Sequence, residues 1–186
     1  MTRLFIAMPV DGEIAAPLKS THEFLNTQEH ILKAVSPNNY HITMKFLGEC
    51  EGNVVKAIES TFMEILVTTG DIPFTLQGIG AFPDIRKPSV LWAGVETDLE
   101  KILAIKKSVE RFTSNFKFKD EKRDFIPHLT IARIRRGRRI TGDLLKYIEK
   151  NHATYFGEFH FGRLALFSSR LTPEGPVYSE IKSIRF

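Results

Sequence analysis

Two stretches of the sequence, YHITMK at residues 40–45 and PHLTIA at residues 127–132, share one pattern. In each stretch a histidine is followed two positions later by a threonine, and His41 and His128 are 87 residues apart in a chain of 186. Apolar and polar residues alternate in both stretches, and this period of two predicts β-strands. The repeat predicts two similar α+β lobes, each of which contributes one such strand to a shared cleft.

The period of two also predicts which side chains share a face of the first strand. His41, Thr43 and Lys45 are expected on one face, because residues i and i+2 of a strand point the same way. Met44 and Phe46 are expected on the opposite face, against a hydrophobic core.

The elements on either side of these strands follow a similar order in the two halves of the chain. Apolar periodicity and capping residues predict helices at residues 12–26, 53–67, 99–116 and 141–150. Strands are predicted at residues 3–9, 31–35, 40–47, 74–79, 90–95, 128–133, 159–168 and 177–184. Asp11 is the expected N-cap of the first helix, and Gly48 is expected to end the third strand. The strands within residues 76–95 correspond to those within residues 164–184, as expected for pseudo-symmetric lobes.

The composition excludes several classes of protein. Hydrophobic residues make up 42% of the chain and include 15 phenylalanines, which is enough apolar surface to exclude a disordered chain. Apolar runs such as residues 4–10 are far shorter than the roughly 20 residues that span a bilayer. Asp11 and Glu13 follow that run too closely for a signal peptide. Cys50 is the only cysteine, which excludes an internal disulfide and a four-cysteine zinc site and suits a reducing, cytoplasmic setting.

Positive charge is concentrated directly after the second motif. The chain has 26 Lys and Arg against 22 Asp and Glu, a net charge of +4. Five arginines fall within seven residues: Arg133, Arg135, Arg136, Arg138 and Arg139. A solvated loop accounts for most charge runs of this kind. The position of this run beside the motif favours contact with phosphate groups instead.

The two motifs place an imidazole and a hydroxyl side by side on each of two strands. Imidazole titrates near neutral pH, so His41 and His128 can act as a general base and a general acid in one step. The hydroxyls of Thr43 and Thr130 can donate hydrogen bonds to the oxygens of a bound phosphate. The pattern therefore predicts in-line displacement at phosphorus, with neither a cofactor nor a metal ion required.

Two other interpretations of the motif histidines remain open. Both could be buried, hydrogen-bonded structural residues, although two copies with threonine partners on matching strands count against this. A zinc site would need a third ligand at motif spacing, and the sequence offers none near either motif. The remaining histidines lack a threonine partner and are expected at the surface or at strand edges: His22, His30, His152 and His160.

These motifs and several other segments resemble the 2H phosphoesterase superfamily, whose mark is two H-x-T-x motifs. The resemblance is closer to the bacterial and archaeal RNA 2′,3′-cyclic phosphodiesterases, also described as 2′–5′ RNA ligases. The segments that carry it are residues 3–7, 41–48, 81–83, 90–94, 127–133 and 169–178. They occur in the order found in that family and span nearly the whole chain.

The resemblance implies a particular α+β architecture. Two pseudo-symmetric lobes, with antiparallel sheets around a central cleft and helices on the outer faces, would form a single bilobal domain over residues 1–186. The expected partner is RNA with a 2′,3′-cyclic phosphate end, and no membrane is involved. We expect a monomer in the cytoplasm.

The resemblance also implies an activity and a role for each site residue. The reaction is hydrolysis of a 2′,3′-cyclic phosphate to a 2′-phosphomonoester, with 2′–5′ RNA ligation as its reverse. His41 would donate a proton to the leaving 3′-oxygen, and His128 would act as the base on water. Thr43 and Thr130 match the phosphate-binding threonines of the family, and Arg133 is expected to bind the substrate beside them.

Two further functions fit the sequence. One is a phosphodiesterase of the same superfamily that acts on 2′–5′ oligonucleotides or small cyclic nucleotides, because the loops at residues 80–89 and 117–124 determine which substrates reach the cleft. The other is an RNA-binding module that keeps the fold without turnover, although both motifs are intact. A panel of cyclic-ended RNA, cyclic mononucleotide and a 2′–5′ dimer distinguishes these functions.

Overall fold

The computed structural model describes residues 1–10, 13–67, 69–119, 121, 124–172 and 175–186. Within these residues the chain forms nine β-strands and four α-helices, which confirms the predicted α+β class. The strands are β1 (Thr2–Pro9), β2 (Leu32–Ala34), β3 (His41–Cys50), β4 (Ile72–Phe82), β5 (Val90–Thr97), β6 (His128–Ile134), β7 (Tyr155–Phe161), β8 (Arg163–Thr172) and β9 (Gly175–Arg185). The helices are α1 (Lys19–Thr27), α2 (Gly52–Thr61), α3 (Leu99–Ser114) and α4 (Gly142–Lys150).

The strands form two antiparallel sheets, and each sheet contains strands from both halves of the chain. One sheet has the order β3-β1-β8-β9, and the other has the order β2-β6-β5-β4-β7. The β8–β9 hairpin of the second half pairs with β1 of the first half. The β4–β5 hairpin of the first half pairs with β6 of the second half. The two halves have therefore exchanged hairpins, and the motif strands β3 and β6 lie in different sheets.

One continuous hydrophobic core joins both sheets to all four helices. Helix α3, which contacts β3, shows how the helices dock: it buries Ile102, Ile105 and Val109 along one face. The helix begins at the predicted position because the Asp98 carboxylate accepts a hydrogen bond from the Lys101 amide at 3.3 Å. No helix in the described part of the chain is long and apolar enough to cross a membrane.

The first helix is shorter than predicted. Helix α1 begins at Lys19 rather than at residue 12, and a 3₁₀ turn at Glu13–Ala15 precedes it. Pro17 explains the difference, because proline lacks an amide hydrogen and disfavours the α conformation in the residue before it. The predicted cap, Asp11, lies outside the described residues.

The predicted end of the third strand is also wrong. Strand β3 runs through Gly48 to Cys50. Gly48 has a φ of +75° and lies where the register between β1 and β3 shifts. Glycine adopts a positive φ without steric cost, so this residue bends the strand instead of ending it.

Two more predicted elements differ from the structure. Helix α2 ends at Thr61 and is followed by a 3₁₀ turn at Phe62–Glu64, whereas the prediction continued the helix to residue 67. The single strand predicted at residues 159–168 is in fact the end of β7 and the start of β8. These two strands lie on either side of Gly162 and belong to different sheets.

Candidate active site

A β-bulge follows the threonine of the first motif. Consecutive residues of β1 pair with Thr43 and Lys45, which leaves Met44 as the extra residue of β3. Such an extra residue changes which later side chains point to each face of a strand. The predicted alternation is therefore wrong beyond Met44: Lys45 is only 3% exposed, whereas Phe46 is 60% exposed.

Strand β6 repeats this bulge at the equivalent position. Consecutive residues of β5 pair with Thr130 and Ala132, which leaves Ile131 as the extra residue. The first six residues of β3 and β6 share one burial pattern, with a half-buried His and Thr and an exposed sixth residue. That sixth residue is Phe46 in β3 and Arg133 in β6. Pseudo-symmetry thus places an aromatic ring and a guanidinium group at equivalent positions.

The motif strands contact each other and border a cavity of about 790 Å³. Four of the five predicted site residues line this cavity: Thr43, His128, Thr130 and Arg133. His41 is not among the lining residues. Its ring packs beside Phe5 and Tyr178, with centroid distances of 5.0 and 5.4 Å, two residues along β3 from Thr43.

Each motif histidine forms an equivalent hydrogen bond to a backbone carbonyl two residues before it. The Nδ1 atom of His41 lies 2.6 Å from the carbonyl oxygen of Asn39, and Nδ1 of His128 lies 2.7 Å from that of Ile126. A carbonyl oxygen can only accept, so Nδ1 carries a hydrogen and donates in both residues. This fixes the tautomer and leaves Nε2 of each ring to accept or donate a proton in a reaction.

The surroundings of both imidazoles favour their neutral forms. The pKa of His41 is lowered from 6.5 to about 4, and burial is the largest cause; the positive charges of Arg133 and His128 contribute to this lowering, and the Asn39 hydrogen bond opposes it. Burial and the charge of Arg133 also lower the pKa of His128. Because the charge of Arg133 acts on both rings, this guanidinium lies within electrostatic reach of each histidine. Both histidines are therefore expected to be neutral at pH 7 in the free protein.

The remaining polar groups of the cavity suit an oxyanion. Neither the Thr43 nor the Thr130 hydroxyl hydrogen-bonds to another described residue, and Arg133 is exposed and forms no ion pair with one. Hydroxyl and guanidinium groups both donate hydrogen bonds to phosphate oxygens. Among the described residues, no group of three or more His, Cys, Asp or Glu side chains is placed to hold a metal ion.

Aromatic residues that the motif pattern does not predict as site residues line the same cavity. Phe46, Phe82 and Phe125 all contribute to its wall. The Phe82 ring meets the His128 ring edge to face at a centroid distance of 4.9 Å. A signal for Phe46 was present in the sequence, because this residue occupies the position in the first motif that Arg133 occupies in the second.

A buried ionic network supports one wall of the cavity. The Glu110 carboxylate on α3 accepts hydrogen bonds from Lys45 and from Lys106, the latter at 2.6 Å. Lys106 lines the cavity, donates to the Met44 carbonyl at 2.7 Å and lies 5.8 Å from the centroid of the Phe125 ring. Burial raises the pKa of Glu110, but the hydrogen bonds from the two lysines outweigh this effect and lower it. The network thus joins the bulge of β3 to α3 and to the cavity wall.

The fold and the cavity define an α+β protein with paired H-x-T strands, and hydroxyl and guanidinium groups that can donate hydrogen bonds line the cavity. The family model described as "LigT like Phosphoesterase" matches residues 8–92 and 95–178, which is most of the chain. The chain belongs to this family of phosphoesterases.

Individual relatives agree with the family match. A protein of Archaeoglobus fulgidus named RNA 2′,3′-cyclic phosphodiesterase is 34% identical over 180 residues, which cover 97% of this chain and 98% of the relative. A crystal structure of a Thermus thermophilus protein superposes with a TM-score of 0.78 at 24% identity, covering 98% of this chain and 97% of that one. Escherichia coli LigT in complex with 3′-AMP gives a TM-score of 0.74 at 19% identity, covering 99% and 97% of the two chains. These structural matches support the two-sheet fold described above.

Proposed function

We propose that this protein hydrolyses the 2′,3′-cyclic phosphate ends of RNA to 2′-phosphomonoesters. The observation that carries the proposal is the pair of matched motif strands at one cavity, each with an imidazole fixed through Nδ1. The name of the Archaeoglobus fulgidus relative supports the choice of substrate, since that protein matches this chain over nearly its full length. Escherichia coli LigT, which shares the fold, has been solved with the nucleotide 3′-AMP.

In the proposed reaction His128 is the base and His41 is the acid. Nε2 of His128 takes a proton from water as the water oxygen attacks phosphorus, and the bond from phosphorus to the 3′-oxygen breaks. Nε2 of His41 supplies a proton to that oxygen, which leaves a 3′-hydroxyl and a 2′-phosphate. Thr43 and Thr130 donate hydrogen bonds to the non-bridging oxygens, and the charge of Arg133 offsets their developing negative charge.

The position of the product phosphate tests this assignment. Hydrolysis of cyclic-ended RNA is expected to give only the 2′-phosphomonoester, because the proposed acid serves the 3′-oxygen. Phosphorus NMR of the product, with the reaction run in the presence of EDTA, distinguishes the two isomers. A 3′-phosphate product would mean that the substrate orientation is reversed, and complete loss of turnover in EDTA would contradict the metal-free reaction.

Two substrates from the same assay address the alternative functions. A 2′–5′ linked dimer and a 2′,3′-cyclic mononucleotide are compared with cyclic-ended RNA at equal concentrations. We expect the RNA to have the highest kcat/KM. Binding of RNA without hydrolysis of any of the three substrates would favour the non-catalytic module. A 5′-hydroxyl can replace water as the nucleophile: its oxygen bonds to phosphorus as the bond to the 3′-oxygen breaks. Adding RNA with a 5′-hydroxyl to the cyclic-ended RNA is therefore expected to yield a small amount of 2′–5′ ligated product.

The dependence of the rate on pH should differ between the free and the substrate-bound enzyme. One histidine must be protonated and the other neutral, so kcat/KM should follow a bell between a pKa of about 4 and the lowered pKa of His128. The value of kcat/KM should fall as pH rises above the lowered pKa of His128, because both rings are then neutral. A bound cyclic phosphate is a monoanion, and its charge favours the imidazolium form. The bell for kcat is therefore expected at higher pH than the bell for kcat/KM.

Initial rates from pH 3.5 to 9, at saturating and at low substrate concentration, measure both profiles. The two limbs of each bell belong to the coupled pair of histidines and not to one residue. Profiles for kcat and kcat/KM that coincide would show that the substrate charge does not act on the imidazoles. A flat profile over this range would remove the two-histidine mechanism.

A further inference from the structure

A second cavity, of about 800 Å³, lies beside the first and is lined by positive charge. Six of its lining side chains are cationic: Arg86, Lys87, Arg135, Arg136, Arg138 and Arg139. No Asp or Glu is among the lining residues, and none of the six cations forms an ion pair with any acidic residue in the described part of the chain. We refer to this cavity as the basic pocket. Like charges gathered without counter-charges are unfavourable unless an anion is bound, so the basic pocket is suited to a polyanion.

Hydrogen bonds between side chains and the backbone hold the two loops that form the basic pocket. In the loop before β5, the Asp84 carboxylate accepts the amide hydrogens of Arg86 and Lys87 at 2.8 and 3.0 Å. In the loop after β6, the Arg135 side chain donates to a backbone carbonyl at 2.7 Å. The turn in that loop includes Gly137, whose φ of +76° is costly for other residues. The cations therefore project from an ordered surface.

The basic pocket adjoins the candidate active site. Pro83 and Ser89 line both cavities. The Ser89 carbonyl accepts a hydrogen bond from the Ile134 amide at 2.9 Å, which joins the two loops where the cavities meet. An RNA chain that extends from the first cavity past Ser89 would therefore meet the lining of the basic pocket.

We propose that the basic pocket binds the backbone phosphates of the RNA nucleotides that precede the cyclic end. This inference rests on the proposed function. The 2′- and 3′-oxygens of the terminal nucleotide are both bonded to the cyclic phosphate, so the rest of the RNA continues only from its 5′-oxygen. The phosphates next to the terminal ribose carry one negative charge each, and arginine binds such groups through paired N–H donors. The pocket thus makes this enzyme selective for oligonucleotide ends over mononucleotides.

The test compares one variant on two substrates. Arg136, Arg138 and Arg139 are exposed and take no part in the proposed chemistry, so all three are changed to Gln in a single variant. Its kcat/KM for a cyclic-ended RNA octamer is expected to fall about tenfold or more, because three phosphate contacts are lost. Its kcat/KM for a 2′,3′-cyclic mononucleotide should stay within about twofold of the unmodified protein, since that substrate does not reach the pocket. Loss on both substrates, or on neither, would overturn the proposal.

A matched control separates local contacts from net charge. Lys56, Lys107 and Lys182 are exposed and line neither cavity, and changing all three to Gln removes the same charge. This control should leave both substrates unaffected. An equal loss of RNA turnover in the control would mean that overall charge is responsible, and the pocket would lose its assigned role.

Binding measurements keep this inference distinct from the proposed function. Fluorescence anisotropy with a labelled RNA octamer that ends in a 3′-phosphate needs no turnover. The slope of log affinity against log salt should decrease by about two units in the arginine variant, since each lost contact on a single strand removes about 0.7. If the unmodified protein hydrolyses neither substrate, the proposed function fails while this slope still tests the pocket. An unchanged slope, or equally strong competition by polyglutamate of the same charge, would overturn the assignment to RNA.

Discussion

Replacing either His41 or His128 with alanine is expected to lower kcat for cyclic-ended RNA by about 10²–10⁴-fold. Each variant removes the Nε2 atom that is proposed to carry a proton, while the backbone carbonyl that orients the ring remains. The double variant should lose far less than the product of the two single losses, because the histidines act in one step. Single-turnover rates with the three variants measure this non-additivity.

His152 provides a matched control for this experiment. Its Nδ1 atom also lies close to a backbone carbonyl, that of Glu149 at 2.8 Å, but the residue is exposed and lines neither cavity. Alanine at position 152 should leave kcat unchanged. Wild-type-like turnover in the His41 or the His128 variant would remove that residue from the mechanism. If both kept full activity, the cavity would have to be reassigned.

Replacing Glu110 with leucine is expected to destabilise the protein by about 3 kcal/mol or more, as when one partner of a buried ion pair is removed. The Glu110 carboxylate accepts hydrogen bonds from both Lys45 and Lys106, and the Lys45 side chain is only 3% exposed. The substitution leaves the buried ammonium groups of Lys45 and Lys106 without this counter-charge. Urea denaturation, analysed at a common slope, measures the change in the free energy of unfolding.

A double substitution shows whether the loss comes from charge or from packing. Changing Lys45 to methionine together with Glu110 to leucine removes the more buried of the two lysine charges along with the carboxylate, and apolar replacements of buried ion pairs are often close to neutral. The double variant should therefore be more stable than the variant with leucine alone. A double variant that is less stable than the single one would show that Lys45 stabilises the fold independently of Glu110.

The central features of the candidate site could be predicted from the sequence because they are local. A histidine and a threonine two positions apart on a strand share a face wherever the strand lies in the fold, and the repeat predicted two such strands. The structure places Thr43, Thr130, His128 and Arg133 at one cavity, in agreement with this pattern. The roles assigned to these residues remain predictions.

The features that could not be predicted depend on pairing between distant segments. The bulge at Met44 exists because β1 and β3 pair with an extra residue, and only that register explains why Lys45 is buried and Phe46 exposed. The exchange of hairpins between the two halves is likewise a property of the sheets and not of any one strand. The shortened first helix is different in kind, because its cause is local: Pro17 disfavours the α conformation in the residue before it.

The exchange of hairpins also determines the order in which the site can form during protein synthesis. Residues 3–7 of β1 pair with residues 165–169 of β8, so one edge of an apolar strand stays open until the ribosome has released β8. Contacts over such a separation form slowly, because a long loop must first close. Tyr178 of β9 then packs beside His41, which was translated long before it. The surroundings of the first histidine are therefore among the last parts of the molecule to be completed, and we expect nascent chains shorter than this hairpin to lack activity and to need protection from aggregation.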